Sequence, residues 1–405
     1  MAEDPREDLV ARQYKKWQYP EPIPDLQTWV TDSWELFDPS HAHRQLWPDR
    51  PYQPNLDILS AGCGTNQAPV IAYTNPGAKV TAIDISQESL DHGKYLKDKH
   101  GLKNLELHLL PIEEVASLNQ DYDLIMCTGV LHHMASPQTG MNALASVLRP
   151  DGVVGIMLYA RYGRIGVEIM QGVFRDLGLR QDEVSLRMVR AGLKSLDPSH
   201  PARTYLAIAT DVGYDAGMVD TFLHGRDVSF TVQDCLDLVE NSGLVFQDWL
   251  RKFPVYPHTL IDPDNEFLLA CASLPERQMW SVMERLRNLN GCHYFTACRP
   301  ERAVTSYRVD FSAPHAADYV PRIQIGCGLD SEVLRQPGWH IDLSGSYLDL
   351  VRRVDGSRSI REIADLVADV RRADPAQMLT VALKVFKALR QMDFICVEFT
   401  APRSG

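Results

Sequence analysis

The chain has 405 residues, which is enough for two domains or for one domain with large insertions. Hydrophobic residues make up 45% and charged residues 23%, as in ordinary globular proteins. No apolar run reaches the roughly eighteen residues that a membrane span requires. The formal net charge is −12 and no basic cluster stands out. Binding to nucleic acid, whose affinity depends on neutralising phosphates, is therefore disfavoured.

The N-terminus and the cysteines together predict a cytoplasmic protein. MAEDPREDLVARQ is acidic and polar, unlike the basic and apolar start of a signal peptide. The eight cysteines are scattered and lack the paired spacing of a zinc site, so we expect buried free thiols. No helix carries a histidine pair at i, i+4, and we predict no metal.

Residues 1–55 are rich in aromatic side chains, and prolines at positions 20, 22, 24, 48, 51 and 54 prevent a long helix. We interpret this segment as a lid over a ligand cleft. The alternative is that its rings cover a sheet edge, and one segment can do both.

A glycine turn follows an apolar run in LDILSAGCGTN (56–66), and Asp84 ends the next apolar run. Glycines at this point allow a ligand to approach the backbone, and the carboxylate can accept hydrogen bonds from a ribose diol. A dinucleotide site would have a third glycine where this chain has Gln67. The pattern therefore favours a nucleoside ligand without a pyrophosphate.

Strand-like and helical patterns alternate over residues 56–160, which predicts a doubly wound parallel α/β sheet. Helices are expected over 86–99, with Ser86 as N-cap, and over 137–148. Residues 161–225 read as a helical insertion after the fifth strand. A helix, a glycine stop and a sixth strand follow in 230–257, then a helix over 275–290 and a closing strand over 292–302.

Four motifs in this order resemble those of class I S-adenosylmethionine-dependent methyltransferases: GCGT (62–65), Asp84, LHH (131–133) and LRPDG (148–152). The resemblance implies a Rossmann-like sheet of seven strands with the last one antiparallel, a helical cap, and S-adenosylmethionine as cofactor. Where such enzymes often have an acid two residues before the first glycine, this chain has Ser60. The cofactor-binding residues that we predict are Gln13, Tyr14, Ser60, Ala61, Gly62, Gly64, Asn66, Gln67, Asp84, Ile85, Pro111, Ile112, Glu113, Thr128 and Gly129.

The stretch QYKKWQYPEP (13–22) resembles a leader found in a subgroup of bacterial methyltransferases. This resemblance implies that Gln13 and Tyr14 contact the cofactor and that Tyr19 lies near the acceptor.

His132 and His133 are the catalytic candidates, since they follow strand four at the edge of the sheet where ligands bind. The alternative is that they pack and hold the loop. Asp220 and Asp227 flank the end of the cap. Polar residues that follow strand five or end the cap are our candidate acceptor contacts, unless they are solvated turns or caps: Tyr19, Tyr159, Arg161, Tyr162, Arg164, His224 and Arg226.

Residues 301–405 form a separable region with two amphipathic helices, Ser359 as an N-cap, and the strand FICVEF (394–399). The region loosely resembles the PqqD type of winged-helix module that binds leader peptides; a structural or dimerising module is the alternative. The predicted domains are thus a lid (1–55), a methyltransferase domain (56–300) and a winged-helix-like domain (301–405).

Three functions are compatible with these patterns. The first is a methyltransferase acting on an O, N or C atom of a small molecule or peptide. The second is a protein or peptide methyltransferase whose C-terminal domain recruits the substrate. The third is a non-enzymatic regulator that senses the cofactor, and an oxidoreductase is a distant fourth. The sequence leaves a homodimer open and predicts no membrane partner.

Overall fold

The structure is a computed structural model and describes residues 4–399. Each strand ends where the alternating or continuous apolar pattern ends. The strands are β1 (Asp57–Ala61), β2 (Lys79–Asp84), β3 (Leu105–Leu109), β4 (Tyr122–Thr128), β5 (Leu148–Tyr159), β6 (Val245–Trp249), β7 (Cys292–Cys298), β8 (Val320–Ile323), β9 (Gly328–Asp330), β10 (Val333–Gln336), β11 (Trp339–Asp342) and β12 (Ile395–Glu398).

Most helices are shorter than twelve residues. The α-helices are α1 (Leu9–Lys16), α2 (Leu26–Asp32), α3 (Pro39–Leu46), α4 (Gln67–Thr74), α5 (Gln87–His100), α6 (Pro137–Ser146), α7 (Ile165–Asp176), α8 (Glu183–Lys194), α9 (Ala202–Leu206), α10 (Asp215–Phe222), α11 (Val232–Glu240), α12 (Glu266–Ala272), α13 (Glu276–Leu286), α14 (Gly345–Val351), α15 (Ile360–Arg371) and α16 (Pro375–Gln391).

The described residues form two compact units. The first contains residues up to 38, 53–249 and 284–302, and the second contains 39–52, 250–283 and 303–399. These ranges differ from the domain boundaries expected from the sequence, because the second unit draws on two segments that precede residue 301. Within it, α3 packs on β12, and Arg44 forms an ion pair with Glu398 (2.9 Å).

A seven-stranded sheet forms the centre of the first unit, in the order β3-β2-β1-β4-β5-β7-β6. The strands from β3 to β5 are mutually parallel. β7 runs antiparallel to both β5 and β6. The prediction of a doubly wound sheet with an antiparallel last strand is therefore confirmed.

The parallel strands inside the sheet, β1, β2 and β4, are buried on both faces, as their continuous apolar sequences require. In β4, for example, Leu124 to Cys127 are fully buried. The two helices predicted over 86–99 and 137–148 begin where expected. Ser86 caps α5 by accepting the Ser89 N–H, and Ser136 caps α6 in the same way at Thr139.

The predicted helical insertion consists of α7 to α10 and has a core of its own. Helices α7, α8 and α10 contribute buried residues such as Val167, Val189 and Val219. The opposite face of α7 is exposed. Together with the residue that follows the helix, it forms an apolar stripe on the surface: Ile165, Ile169, Val173 and Leu177.

The second unit has a core formed by α14, α15 and α16 with the two-stranded β8–β12 sheet and a three-stranded β9–β11 sheet. Ser359 caps α15 through a reciprocal capping box with Glu362, as the sequence predicted for Ser359. Whether this unit is related to winged-helix modules stays a prediction. None of the helices within residues 4–399 combines the length and hydrophobicity needed to cross a membrane.

Candidate functional site

The glycine turn after β1 lies at the carboxyl edge of the parallel strands. Gly62 and Gly64 have φ angles of 67° and 55°, a region that glycine occupies without strain. A Cβ atom on Gly62 would lie 2.4 Å from Cγ2 of Val130, so a side chain does not fit there. The turn therefore needs glycine both for its backbone angles and for space.

Asp84 ends β2 next to this turn and is almost completely buried. Its Oδ2 accepts the Gly64 N–H (2.8 Å) and its Oδ1 accepts the Ser86 N–H (2.8 Å). Burial raises the pKa of the carboxyl group, and these backbone hydrogen bonds oppose the rise. Each oxygen keeps a further lone pair for a ligand.

A cavity of about 740 Å³ runs along this edge, which is within the size range of small-molecule sites, about 300–1,000 Å³. It begins at the glycine turn and extends to the histidines after β4. The residues predicted from the sequence that line it are Tyr14, Tyr19, Gly62, Gly64, Gln67, Asp84, Ile85, Ile112, Glu113, Thr128, Gly129, His133, Tyr159 and Arg226.

Other predicted cofactor residues do not line the cavity: Gln13, Ser60, Ala61, Asn66 and Pro111. Ser60 donates to Gln67 Oε1 (2.9 Å), and Gln67 in turn donates to Thr128 Oγ1 (2.6 Å). Asn66 holds the N-terminal segment by accepting the Ile23 N–H (3.1 Å) and donating to the Glu21 carbonyl (2.8 Å). This role explains asparagine at position 66.

The two candidate histidines occupy different environments. His133 lines the cavity, and its Nδ1 lies 2.9 Å from the carbonyl oxygen of Arg226, which makes Nδ1 the protonated nitrogen. Its Nε2 therefore carries a lone pair. His132 is fully buried and stacks on Tyr159 with 3.8 Å between ring centroids. Burial lowers the pKa of His132 well below its ordinary value, so it stays neutral.

A buried carboxylate, Asp220 of α10, organises the acceptor end of the cavity. It accepts hydrogen bonds from the hydroxyl groups of Tyr14 (2.9 Å) and Tyr159 (3.0 Å) and from the Gln13 amide (3.3 Å). Burial raises the pKa of Asp220, and the neighbouring His133 and the hydrogen bonds from Tyr14 and Tyr159 oppose the rise. Gln13 is thus directed toward the helical insertion, which its predicted cofactor role did not anticipate.

The remaining candidate acceptor contacts are dispersed. Arg164 is buried, lies over the Tyr159 ring at 3.6 Å, and forms an ion pair with Asp227 (3.0 Å). Arg161 is exposed and Tyr162 is half-buried, and neither of them lines the cavity. Arg226 lines it and donates to Asp8 Oδ2 (3.0 Å).

Tyr19, just before Pro20, lines the cavity and contacts the helical insertion. Tyr19 donates to Asp211 Oδ2 (3.0 Å), and the Tyr19 ring stacks on Tyr214 with 6.4 Å between centroids. The N-terminal segment therefore lies over the cavity, in the manner expected of a lid.

One nitrogen of His133, one of His224 and one oxygen of Asp220 lie within 4.8 Å of one another, an arrangement that could hold a metal ion. The hydrogen bonds argue against it. His224 Nδ1 accepts the Arg226 N–H (3.0 Å), so its Nε2 bears the hydrogen and offers no lone pair. The ring of His224 also stacks on His133 at 3.8 Å. We interpret the cluster as two stacked histidines, each held by the backbone of Arg226, beside a carboxylate that binds Tyr14 and Tyr159.

Sequence reasoning missed two acidic residues of the N-terminal segment that line the cavity, Asp8 and Glu35. It also missed the run from Met134 to Ser136, which directly follows the LHH motif. An acid in an aromatic, proline-rich segment carries no local signal of its role. The run after LHH, in contrast, could have been included because it leaves the same strand edge.

Comparison with known proteins agrees with this geometry. Residues 53–171 match the family model of a methyltransferase domain. The uncharacterized Synechococcus sp. protein syc1184_c is 29% identical over 236 residues, which cover 56% of this chain and 57% of that protein. The tRNA 5-carboxymethoxyuridine methyltransferase of Escherichia coli is 31% identical over 156 residues, 37% of this chain and 57% of the enzyme. The matched regions thus span little more than half the length of these relatives.

Solved structures show the same fold over more of the chain. PKMT2 from Rickettsia typhi has a TM-score of 0.65 and covers 91% of this chain and 76% of its own, at 14% identity. PKMT2 has also been solved in complex with AdoHcy, with the same TM-score.

The glycine turn, Asp84 and the sheet order agree with the match of residues 53–171 to a methyltransferase domain, with S-adenosylmethionine as its cofactor. The residues present fit its cofactor. The two remaining lone pairs of Asp84 suit a ribose diol, and Gly62 and Gly64 keep the approach to the turn open. When bound, S-adenosylmethionine supplies an activated methyl group.

Proposed function

We propose that this chain transfers a methyl group from S-adenosylmethionine to a small-molecule or peptide acceptor. The observation that carries the proposal is a single cavity that joins the nucleoside end, at Asp84, to the acceptor end, at His133 and Tyr159. Methyl transfer mainly requires that the acceptor atom be aligned with the methyl group, and one continuous cavity provides that alignment.

His133 is the general base in this proposal. The acceptor atom forms a bond to the methyl carbon, the carbon–sulfur bond breaks, and its electron pair goes to the sulfur. The acceptor's proton passes to Nε2 of His133, whose lone pair is available because Nδ1 donates to the Arg226 carbonyl. His132 has a positioning role through its stacking on Tyr159.

The charges of the cavity favour a neutral or cationic acceptor. Four carboxylates line it, at Asp8, Glu35, Asp84 and Glu113, and Arg226 is already paired with Asp8. An anionic acceptor would be repelled. The relatives named above include an enzyme that acts on tRNA, but the net charge of −12 argues against a nucleic acid here.

Calorimetric titration of the full chain with S-adenosylmethionine and S-adenosylhomocysteine, with NAD as control, tests the cofactor assignment. We expect micromolar binding of the first two ligands and no binding of NAD. Acceptors are then screened for transfer of an isotopically labelled methyl group. Binding of NAD alone would refute the proposal in favour of an oxidoreductase, and cofactor binding without transfer to any acceptor would favour a regulator.

A second candidate function is methylation of a peptide that the second unit recruits. It is favoured by Leu366 and Val370, which are exposed by 41% and 67% and lie one turn apart on α15. Deleting residues 301–405 would be a poor test, because residues 39–52 and 250–283 belong to the same unit. Instead, Val370→Glu should raise the KM for a peptide acceptor without changing affinity for S-adenosylhomocysteine, and Asp369→Asn is the control.

We also propose a homodimer in which the exposed face of α7 pairs with its copy. Ile165, Ile169, Val173 and Leu177 repeat every four residues along about 18 Å of helix and are each at least 43% exposed. An apolar strip of this kind suits the core of a small specific interface, about 1,200 Å² in total. Analytical ultracentrifugation should show a dimer that Val173→Glu dissociates and that Arg175→Glu, on another face of α7, leaves intact.

A cytoplasmic location is our last proposal for this chain. All eight cysteines are free, and six of them are buried. Free buried thiols are typical of proteins from a reducing compartment. Fractionation of the native host should recover the protein in the soluble cytoplasmic fraction; recovery with the envelope would contradict this assignment.

A further inference from the structure

Glu35 follows α2 in the N-terminal segment of the first unit, and its side chain lines the cavity. Its Oε2 is 3.4 Å from Gln67 Nε2, and Gln67 also contacts Ser60 and Thr128. Glu35 is therefore connected through one amide to the carboxyl ends of β1 and β4, which are neighbouring strands in the parallel part of the sheet.

The backbone around Glu35 is held at fixed points. Phe37, two residues later, is buried and lies against Gly155 of β5, where a Cβ atom would come within 2.5 Å of the ring. Asp38 accepts hydrogen bonds from Asn75 (2.8 Å) and Thr74 (2.6 Å) at the end of α4. The acid is thus placed by the fold, and it does not depend on a mobile loop.

Two other acids that line the cavity, Asp84 and Asp8, already have hydrogen-bond or ion-pair partners. Asp84 accepts two backbone N–H groups, and Asp8 is paired with Arg226. Among residues 4–399, in contrast, no cationic side chain forms an ion pair with Glu35. Burial raises the pKa of Glu35, so the ionised form lacks compensation until a cation arrives.

We propose that Glu35 binds the α-ammonium group of the methionine moiety of S-adenosylmethionine. This inference rests on the proposed function. A cofactor whose ribose is bound at Asp84 would have its amino-acid part within the same cavity, which Gln67 and Glu35 also line. Position 60, where an acid was expected from the family pattern, holds a serine, and the N-terminal segment supplies the acid in its place.

The lid consequently has a second role in this chain, because it contributes one of the cofactor's charged contacts as well as covering the cleft. The full ligand requires the segment, whereas a nucleoside without the amino-acid part does not require Glu35. That difference provides a selective test.

The experiment compares S-adenosylhomocysteine with 5′-methylthioadenosine, which keeps the nucleoside and lacks the ammonium group, on the full chain and on Glu35→Gln. Loss of a charge-assisted hydrogen bond should weaken the binding of S-adenosylhomocysteine by about 10- to 100-fold. Affinity for 5′-methylthioadenosine should stay within about twofold. Asp84→Asn is the matched control and should weaken both ligands.

Each outcome has a distinct meaning. Unchanged binding of S-adenosylhomocysteine to Glu35→Gln, or an equal loss for both ligands, overturns the assignment of Glu35. If neither ligand binds the unmodified chain, the proposed function itself fails. A circular-dichroism melting curve of Glu35→Gln that matches the unmodified chain shows that the change is local, and Glu35→Asp should restore part of the affinity for S-adenosylhomocysteine only.

Discussion

Replacing Asp84 by asparagine keeps the shape of the side chain and removes its charge. Asp84 uses one lone pair of each oxygen for a backbone N–H, from Gly64 and from Ser86, both at 2.8 Å. In the variant, the amide nitrogen must face one of these two donors. One backbone hydrogen bond is then lost inside a buried site, which costs about 1–3 kcal/mol of folding free energy.

The same substitution weakens binding of the cofactor. The two lone pairs that remain on Asp84 are the acceptors for the ribose diol, and asparagine offers at most one of them without a charge. A charged hydrogen bond contributes about 1.5–3 kcal/mol, so we expect S-adenosylhomocysteine to bind about 10- to 100-fold more weakly.

Isothermal titration of folded Asp84→Asn with S-adenosylhomocysteine measures this loss, and thermal melting of the free protein measures the structural cost separately. Asp98→Asn is the matched control, because Asp98 is exposed and, within residues 4–399, forms its ion pair with Lys94 on the surface. An affinity within about twofold of that of the unmodified chain corresponds to a change in binding free energy of less than about 0.5 kcal/mol. That result would refute the placement of the ribose at Asp84.

Three further predictions concern turnover, the glycine turn and pH. His133→Ala should leave the affinity for S-adenosylhomocysteine nearly unchanged and lower kcat by about 10²- to 10⁴-fold, as expected for loss of a general base. Gly62→Ala should lower stability by about 1–3 kcal/mol and weaken the cofactor, since a Cβ would lie 2.4 Å from Val130. Burial raises the pKa of Glu284 from 4.5 to about 7. The folded chain thus binds the proton more tightly, and stability relative to Glu284→Gln should fall by up to about 3 kcal/mol as pH rises through that window.

Each of these predictions has a contrary result. Equal losses of affinity and kcat in His133→Ala would make the residue part of the wall and not a base. A Gly62→Ala protein with unchanged melting temperature and affinity would mean that the turn has more space than the structure shows. If urea unfolding gave the same difference in unfolding free energy between Glu284→Gln and the unmodified chain at pH 4.5 and at pH 7, folding would not change the proton affinity of Glu284.

Much of the fold could be predicted because it depends on local sequence. Apolar runs that end at Gly62, Asp84 and Thr128 specify the strands β1, β2 and β4. Parallel strands bring their carboxyl ends to one edge of the sheet. Caps such as Ser86 and Ser359 depend on residues only three positions away. These features made the sheet, the cofactor class and most of the cavity wall accessible from sequence alone.

The parts that could not be predicted depend on contacts between distant segments. Glu35 meets Gln67 across 32 positions, Gln13 meets Asp220 across 207, and Arg44 meets Glu398 across 354. No periodicity or spacing reports such contacts. For the same reason, no sequence pattern indicates that residues 39–52 belong with the second unit, or that His133 and His224 stack.

The most direct test of the central claim is a crystal structure of the full chain with S-adenosylhomocysteine. We expect the ligand in the cavity at the glycine turn, with its ribose hydroxyls on Asp84 and its sulfur on the side of His133 and Tyr159. Ligand density elsewhere, or a ribose that does not contact Asp84, would contradict the assignment of this cavity as the methyl-transfer site.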